Sequence, residues 1–321
     1  MRGGASVCAA SLALALMCMA NVAHAQDAPP PTGAPPPDEA AAVTAPTAPT
    51  AAPKIDKPAS GTAITLSSGG QLATGNSRLL AMTANGTFDV RRGSNGFGSA
   101  LIANYGQGAA AGQPVQETAE NFQGKLRYDR YVSDRTSLFF LTTGRHDRFQ
   151  GLDFRLNLDP GVKYILSYDA SYAFWLEGGY DFQYDVRRDA ALGVLDASGM
   201  PVLDANGNPE LLSKTAADHS TRLFAGYRHA FNSEVTLSTG LEYLQSFIDA
   251  TRYRINGDAL FAAKVGGGLA VGFGFSARYD HDPLPGKETL DTSTTVSLIY
   301  SFSDAQPAAP KCATYGTTRA F

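Results

Sequence analysis

The chain has 321 residues, 17% of them charged and 44% hydrophobic, and a formal net charge of −4. A small acidic excess with no basic cluster excludes nucleic acid as the expected partner. Cys8 and Cys18 lie in the leading apolar stretch and only Cys312 follows it, which excludes a disulfide framework and a cysteine-ligated metal.

The first 25 residues read as a signal peptide. Arg2 supplies the positive start and Ala5 to Ala20 the apolar or small-residue run, followed by Ala23-His24-Ala25 as a small-x-small cleavage site. The run is too short and alanine-rich for a membrane anchor, which needs about 20 strongly apolar residues. Cys18 lacks the preceding small residues of a lipoprotein signal, so the mature chain is expected to begin at Gln26. Residues 26–60 follow as a Pro/Ala-rich linker, carrying ten of the eighteen prolines. Proline removes a backbone donor and fixes φ, so this stretch builds no core and reads as a disordered spacer.

Residues 61–303 form one domain with no break in composition, and 304–321 read as a flexible tail holding Cys312 as a solvent-facing thiol. The domain shows no helical stripe. It alternates in segments far longer than the usual strand of about five or six residues. In Tyr172 to Arg187 one face reads Tyr172, Phe174, Leu176, Gly178, Tyr180, Phe182, Tyr184 and Val186. Its opposite reads Ala173, Trp175, Glu177, Gly179, Asp181, Gln183, Asp185 and Arg187. Successive side chains point to opposite faces of a strand, so one face is apolar with aromatics at both ends and the other is charged. That placement of rings matches the two interfacial girdles of a lipid-facing strand.

The same split recurs at Phe122 to Val132, Phe154 to Leu166 and Leu269 to Asp280, and predicts twelve strands. Their expected bounds are 62–74, 77–91, 95–106, 117–132, 135–149, 152–167, 171–187, 217–230, 233–248, 250–263, 266–281 and 289–303. Tight polar connections (132–135, 167–170, 231–234 and 264–267) alternate with longer ones (106–116, 145–152, 188–218 and 281–287). Short periplasmic turns and long external loops are the habit of an outer-membrane barrel. An even strand count returns both ends of the domain to the periplasmic side. The expected fold is therefore all-β, a transmembrane antiparallel up-and-down barrel. In lipid an open sheet edge leaves backbone groups unpaired, so 289–303 must pair with the first strand. Within it Thr294, Val296, Leu298, Tyr300 and Phe302 take the lipid face and Thr295, Ser297, Ile299 and Ser301 the interior. A closing strand ending in Phe302 is the kind of segment the outer-membrane assembly machinery recognises. That machinery, outer-membrane lipid and lipopolysaccharide are the expected partners.

Several segments, in order, resemble the bacterial salt-induced outer membrane protein family, also described as YdiY-like. They are Thr74-Gly75-Asn76-Ser77, Tyr128-Asp129-Arg130-Tyr131, Arg148 to Asp153, Pro160-Gly161-Val162-Lys163-Tyr164, Pro283 to Lys287, Asp291 to Thr295 and Leu298 to Phe302. The resemblance spans about 240 residues. It implies an outer-membrane barrel associated with salt or envelope stress, and no catalytic residues or cofactor. The proline-rich arm, the 189–217 loop and the tail after Phe302 depart from the family pattern.

The inward charges Lys125, Arg127, Asp129, Arg155, Asp159, Lys163, Glu177, Asp181 and Asp185 are the candidate lumen-lining residues. They suit either rings of charge around a narrow pore or pairs that fill the lumen. About eight strands enclose a filled interior and about sixteen a channel, and twelve lies between. A filled or very narrow lumen is the reading adopted. The expected role is non-enzymatic, either envelope-structural and stress-related or the passage of small solutes, and no catalytic, cofactor or metal residue is assigned. The alternative is a barrel hydrolase or rim cation site using His146 with Asp147, Asp218 with His219, and Asp280-His281-Asp282. Gly266-Gly267-Gly268 and Gly272-x-Gly274 resemble phosphate loops in composition alone, since no helix follows them.

Overall fold

The computed structural model describes residues 61–304, apart from 75–76, 111–112, 170 and 197–198. The expected signal peptide, linker and tail lie outside the described residues, Asp304 excepted. Among the described residues there are twelve strands: β1 Gly61–Ala73, β2 Ser77–Arg92, β3 Asn95–Ala110, β4 Gln116–Tyr131, β5 Thr136–Asp147 and β6 Leu152–Tyr168. They continue as β7 Tyr172–Arg187, β8 Thr215–Ala230, β9 Val235–Ser246, β10 Tyr253–Gly266, β11 Leu269–Asp280 and β12 Leu290–Ser303. Each pairs antiparallel with its sequence neighbours, and β1 pairs with β12, closing the barrel. At that seam Ala63 faces Ser303 and Gly69 faces Ser297.

Local chemistry makes the short turns. Between β6 and β7 the Asp169 carboxylate accepts the amides of Ser171 (2.6 Å) and Tyr172 (3.0 Å). These bonds hold it below the usual carboxylate range. Between β8 and β9 the Asn232 side chain accepts the amides of Glu234 and Val235, both at 2.8 Å, and Ser133 Oγ accepts that of Thr136 at 3.0 Å before β5. Side chains of this kind bonded to the backbone two or three residues on are what let a strand reverse so quickly. The β10–β11 turn instead uses Gly267 and Gly268 at φ 56° and 84°, a region closed to most side chains.

Several boundaries differ from expectation. β3 runs four residues past Gly106, through an irregularity in its pairing at Gly106/Gln107. The strand expected at 250–263 lies at Tyr253–Gly266, because Asp249 accepts the amide of Thr251 (2.9 Å) and Ser246 Oγ that of Ile248 (3.1 Å), making a turn where strand was expected. The β5–β6 connection shrinks to 148–151. Residues 188–214 form the long connection, which carries a short 3-10 turn at Asp189–Ala191 and bridges Gly193 to Leu211, Leu195 to Pro201 and Leu203 to Pro209. It therefore folds back on itself as small hairpins.

Outside, the wall is apolar: Leu66, Leu101, Leu126, Leu176, Leu241 and Leu298 stand exposed along the strands, Leu126 at 53%. Tyr128, Phe140, Tyr164 and Tyr300 are exposed toward the rim of short turns, and Phe154, Tyr180 and Tyr184 toward the other. An apolar surface this continuous is unfavourable in water and favourable against lipid chains, with rings at the two interfaces. Among the described residues no helix is long and apolar enough to cross a membrane; the strands do so.

Candidate functional site

The inward face is built in layers. Where the barrel wall is glycine, a ring lies flat against it: Phe139 of β5 over Gly161 of β6, and Trp175 of β7 over Gly226 of β8, each so close that a Cβ would overlap the ring. A cation sits on each ring in turn. Arg127 stands 4.3 Å from the Phe139 centroid and Lys163 4.7 Å from that of Trp175. Such stacking favours a cation most where water is excluded. Ile165, Ala173 and Trp175 form a small buried apolar cluster beside these layers, nearer the short turns.

Carboxylates complete the inner layer. Arg127 Nη1 of β4 lies 3.0 Å from the Glu177 carboxylate of β7, three strands away around the ring, so this pair spans the interior. Arg222 Nη1 of β8 reaches the same carboxylate at 3.1 Å, while its Nε lies 2.7 Å from Glu242 of β9. Arg127 also holds Asp129 at 2.7 Å and Arg155 holds Asp185 at 2.7 Å. Farther round, Arg278 of β11 holds Asp258 of β10 at 2.7 Å. Buried charges are tolerable only with such partners, because each gives up several kcal/mol of hydration.

All nine residues expected on the lumen face therefore sit on the inward parity of their strands, and seven are buried: Arg127, Asp129, Asp159, Lys163, Glu177, Asp181 and Asp185. Lys125 and Arg155 are half-buried. Sequence reasoning passed over Arg222, Glu242, Arg254 and Asp258, and put Arg278 on the polar face of its strand without counting it among the lumen residues. The signal was there, since on β8 to β11 each occupies the parity opposite to exposed residues such as Leu223, Leu241, Ile255 and Phe275. The remaining wall differs in character. β11, β12 and β2 turn Ser276, Ser293, Thr295 and Thr83 inward, with Ser276 and Ser293 hydroxyls 2.8 Å apart.

At the rim of long connections the mouth is crossed. Gln150 in the β5–β6 connection donates to Asp291 of β12 at 3.1 Å, from almost the opposite side of the ring. Gly151, at φ 74°, is so crowded that a Cβ would stand 2.6 Å from that of Ala191 and 3.3 Å from Leu284 Cδ1. Leu195 Cδ1 likewise reaches within 3.3 Å of the Cβ position of Gly286. The base of the long connection is tied by Lys214, 2.6 Å from Asp189 and 3.1 Å from Asp153. The Lys214 ammonium lowers the Asp189 pKa, and the two carboxylates raise that of Lys214.

Two of the three histidine–carboxylate groupings are split between the faces of the wall. Neighbours on a strand point to opposite faces. Asp147 is fully buried inside while His146 turns outward, its Nδ1 2.8 Å from the Asp153 carbonyl oxygen. Asp218 binds Ser246 inside at 2.6 Å, whereas His219 packs among Tyr180 and Phe182 on the outer face. His281 stacks on Tyr253, with centroids 4.6 Å apart, as part of the outer aromatic girdle. Among the described residues no group of three or more His, Cys, Asp or Glu side chains is arranged to hold a metal ion.

An apolar belt, a closed ladder and a charged interior define a membrane-spanning β-barrel. The chain belongs to the family of proteins of unknown function DUF481, whose model matches residues 66–302. No curated protein matches it. Among solved structures it is similar to the NanC porin (9% identity, covering 76% of this chain and 100% of that one, TM-score 0.41). It is also similar to an outer membrane channel from Pseudomonas putida F1 (9%, 84% and 100%, TM-score 0.40). A third likeness is to the translocator domain of the autotransporter NalP from Neisseria meningitidis (12%, 76% and 88%, TM-score 0.38).

Proposed function

We propose that the protein resides in the bacterial outer membrane as a non-enzymatic barrel of the salt-induced type. Its role is envelope-structural and stress-related, and its lumen is held closed to solutes by its own charges. The observation that carries this reading is the Arg127–Glu177 pair, which joins β4 to β7 through the interior at 3.0 Å. A guanidinium and a carboxylate bound to each other occupy the space that a solute would need. The crossing loops at the mouth, with Gln150 bonded to Asp291, add a second barrier. The split of His146 from Asp147 and of His219 from Asp218 supports a non-enzymatic role. Phe302, exposed at the end of β12, suits recognition by the assembly machinery. Lipopolysaccharide is the outer-leaflet partner in this reading.

Single-channel recording of the refolded protein in planar bilayers tests the closed lumen. No stable conductance steps are expected from the full protein, nor from a variant lacking residues 192–211, because the interior pairs lie below that connection. Stable steps from the full protein refute the reading.

A further inference from the structure

Most inward carboxylates named above have a guanidinium within about 3 Å; Asp159 and Asp181 do not. The β6–β7 register runs without a shift from Leu158 opposite Phe182 to Gly161 opposite Gly179, which sets Asp159 directly opposite Asp181 on the inner face. Pro160 has no amide to give, so the ladder is interrupted beside this pair. The two carboxyls face the interior from opposed positions on adjacent strands, and they are only 5% and 1% exposed. Like charges directly opposite on a sheet repel.

Their surroundings do not relieve the repulsion. Asp181 Oδ1 accepts Asn157 Nδ2 at 2.7 Å. Asp159 Oδ1 and Asp181 Oδ2, one oxygen on each carboxyl, receive no donor. No cation stands directly opposite on the flanking strands: opposite Asp159 on β5 is Leu141, and opposite Asp181 on β8 is Ser220. Arg222 of β8 and Glu242 of β9 are nearby, but Arg222 is already committed to Glu242 and Glu177. Arg155 and Asp185 are bound to each other. That leaves Arg254 of β10, whose Nη2 stops 3.8 Å from Asp181 Oδ2 and makes no hydrogen bond.

We propose that Asp159 and Asp181 form a proton-binding site inside the barrel, one proton being shared between their two donorless oxygens. The shared proton satisfies both oxygens with one hydrogen bond. It also reduces the charge of the pair to −1, which the single guanidinium of Arg254 balances. Removing the proton to solvent leaves two buried carboxylates facing each other at −2, so the barrel weakens as pH rises and the site empties.

Infrared spectroscopy of the folded protein in bilayers at neutral pH reads the site directly. A protonated-carboxyl band is expected in the wild type and should be lost from both Asp159→Asn and Asp181→Asn, whose amides donate where the proton stood. The unfolding midpoint should fall between pH 7 and pH 9 in the wild type and stay flat in Asp159→Asn. Should the variants fail to fold, site-assigned carboxyl 13C shifts of Asp159 and Asp181 in the wild type answer the same question. Two ionised carboxyls at neutral pH overturn the proposal, as does a band that survives both substitutions. A metal ion found at the pair in place of the proton overturns it as well.

Discussion

Replacing Glu177 by Gln removes one negative charge from the place where two guanidiniums converge. Arg127 and Arg222 approach this carboxylate at 3.0 and 3.1 Å, and its side chain is only 3% exposed. A hydrogen bond to a charged group contributes about 1.5–3 kcal/mol. Leaving a buried charge without its partner costs about 3–5 kcal/mol. Arg127 retains Asp129 and Arg222 retains Glu242, both at 2.7 Å, which keeps the loss at the lower end of the summed bonds. Glu177→Gln should therefore destabilise the barrel by about 3–5 kcal/mol. With a urea slope of about 1–3 kcal/mol per molar, the midpoint should fall by at least about 1 M. The chain has one tryptophan, Trp175, two residues away on the same inward face, so its emission follows unfolding in lipid vesicles without an added label. Asp282→Asn is the comparison, because its pair with Arg252 is 33% and 60% exposed and should matter by less than about 1 kcal/mol. A Glu177→Gln shift no larger than that of Asp282→Asn would refute the claim that the interior pairs hold the barrel together.

Two further tests address the wall and the turns. Gly226→Ala places a methyl group against the Trp175 indole, so a loss of about 1–3 kcal/mol and a shift in tryptophan emission are expected in urea titrations; an unchanged spectrum would mean the ring does not lie there. The Asp169 carboxylate binds the Ser171 and Tyr172 amides in its ionised form, and its folded pKa is lowered by them. Its contribution to the turn is complete above the ordinary aspartate value of about 4 and is lost as pH falls through the lowered one. Hydrogen exchange at those two amides should then rise in Asp169→Ala beyond the change seen at the Asn232 turn.

Much of this was legible because a barrel in lipid has two environments on a strict period of two. The segment Tyr172 to Arg187 shows every outward ring and every inward charge before any partner is known, and β7 spans those residues. The same parity exposes Arg222, Glu242 and Arg254, which stand out less because charges are sparser on β8 to β10 than on β4 to β7. What no local pattern encodes is which charges meet. Arg127 and Glu177 are 50 residues apart and on strands that do not pair. Their contact follows from the radius and stagger of the closed ring. Boundaries failed where polar side chains offered the backbone another partner, as Asp249 and Ser246 do before β10. His146 and His219 part from Asp147 and Asp218 for the opposite reason: adjacency in sequence is separation on a strand.

The seam carries a consequence for how the barrel comes into being. β1 and β12 pair only from Ala63 to Gly69, whereas β2 and β3 pair from Ser77 to Arg92. Inside, the charged ties run among β4 to β11, while the seam is backed by Ser67, Gly69, Ser297 and Ile299. The ring is thus a firmly cross-braced sheet fastened along one lightly held edge. Such a sheet can be stiff before it is closed, and the edge along which it closes is the one its own interior leaves free to open.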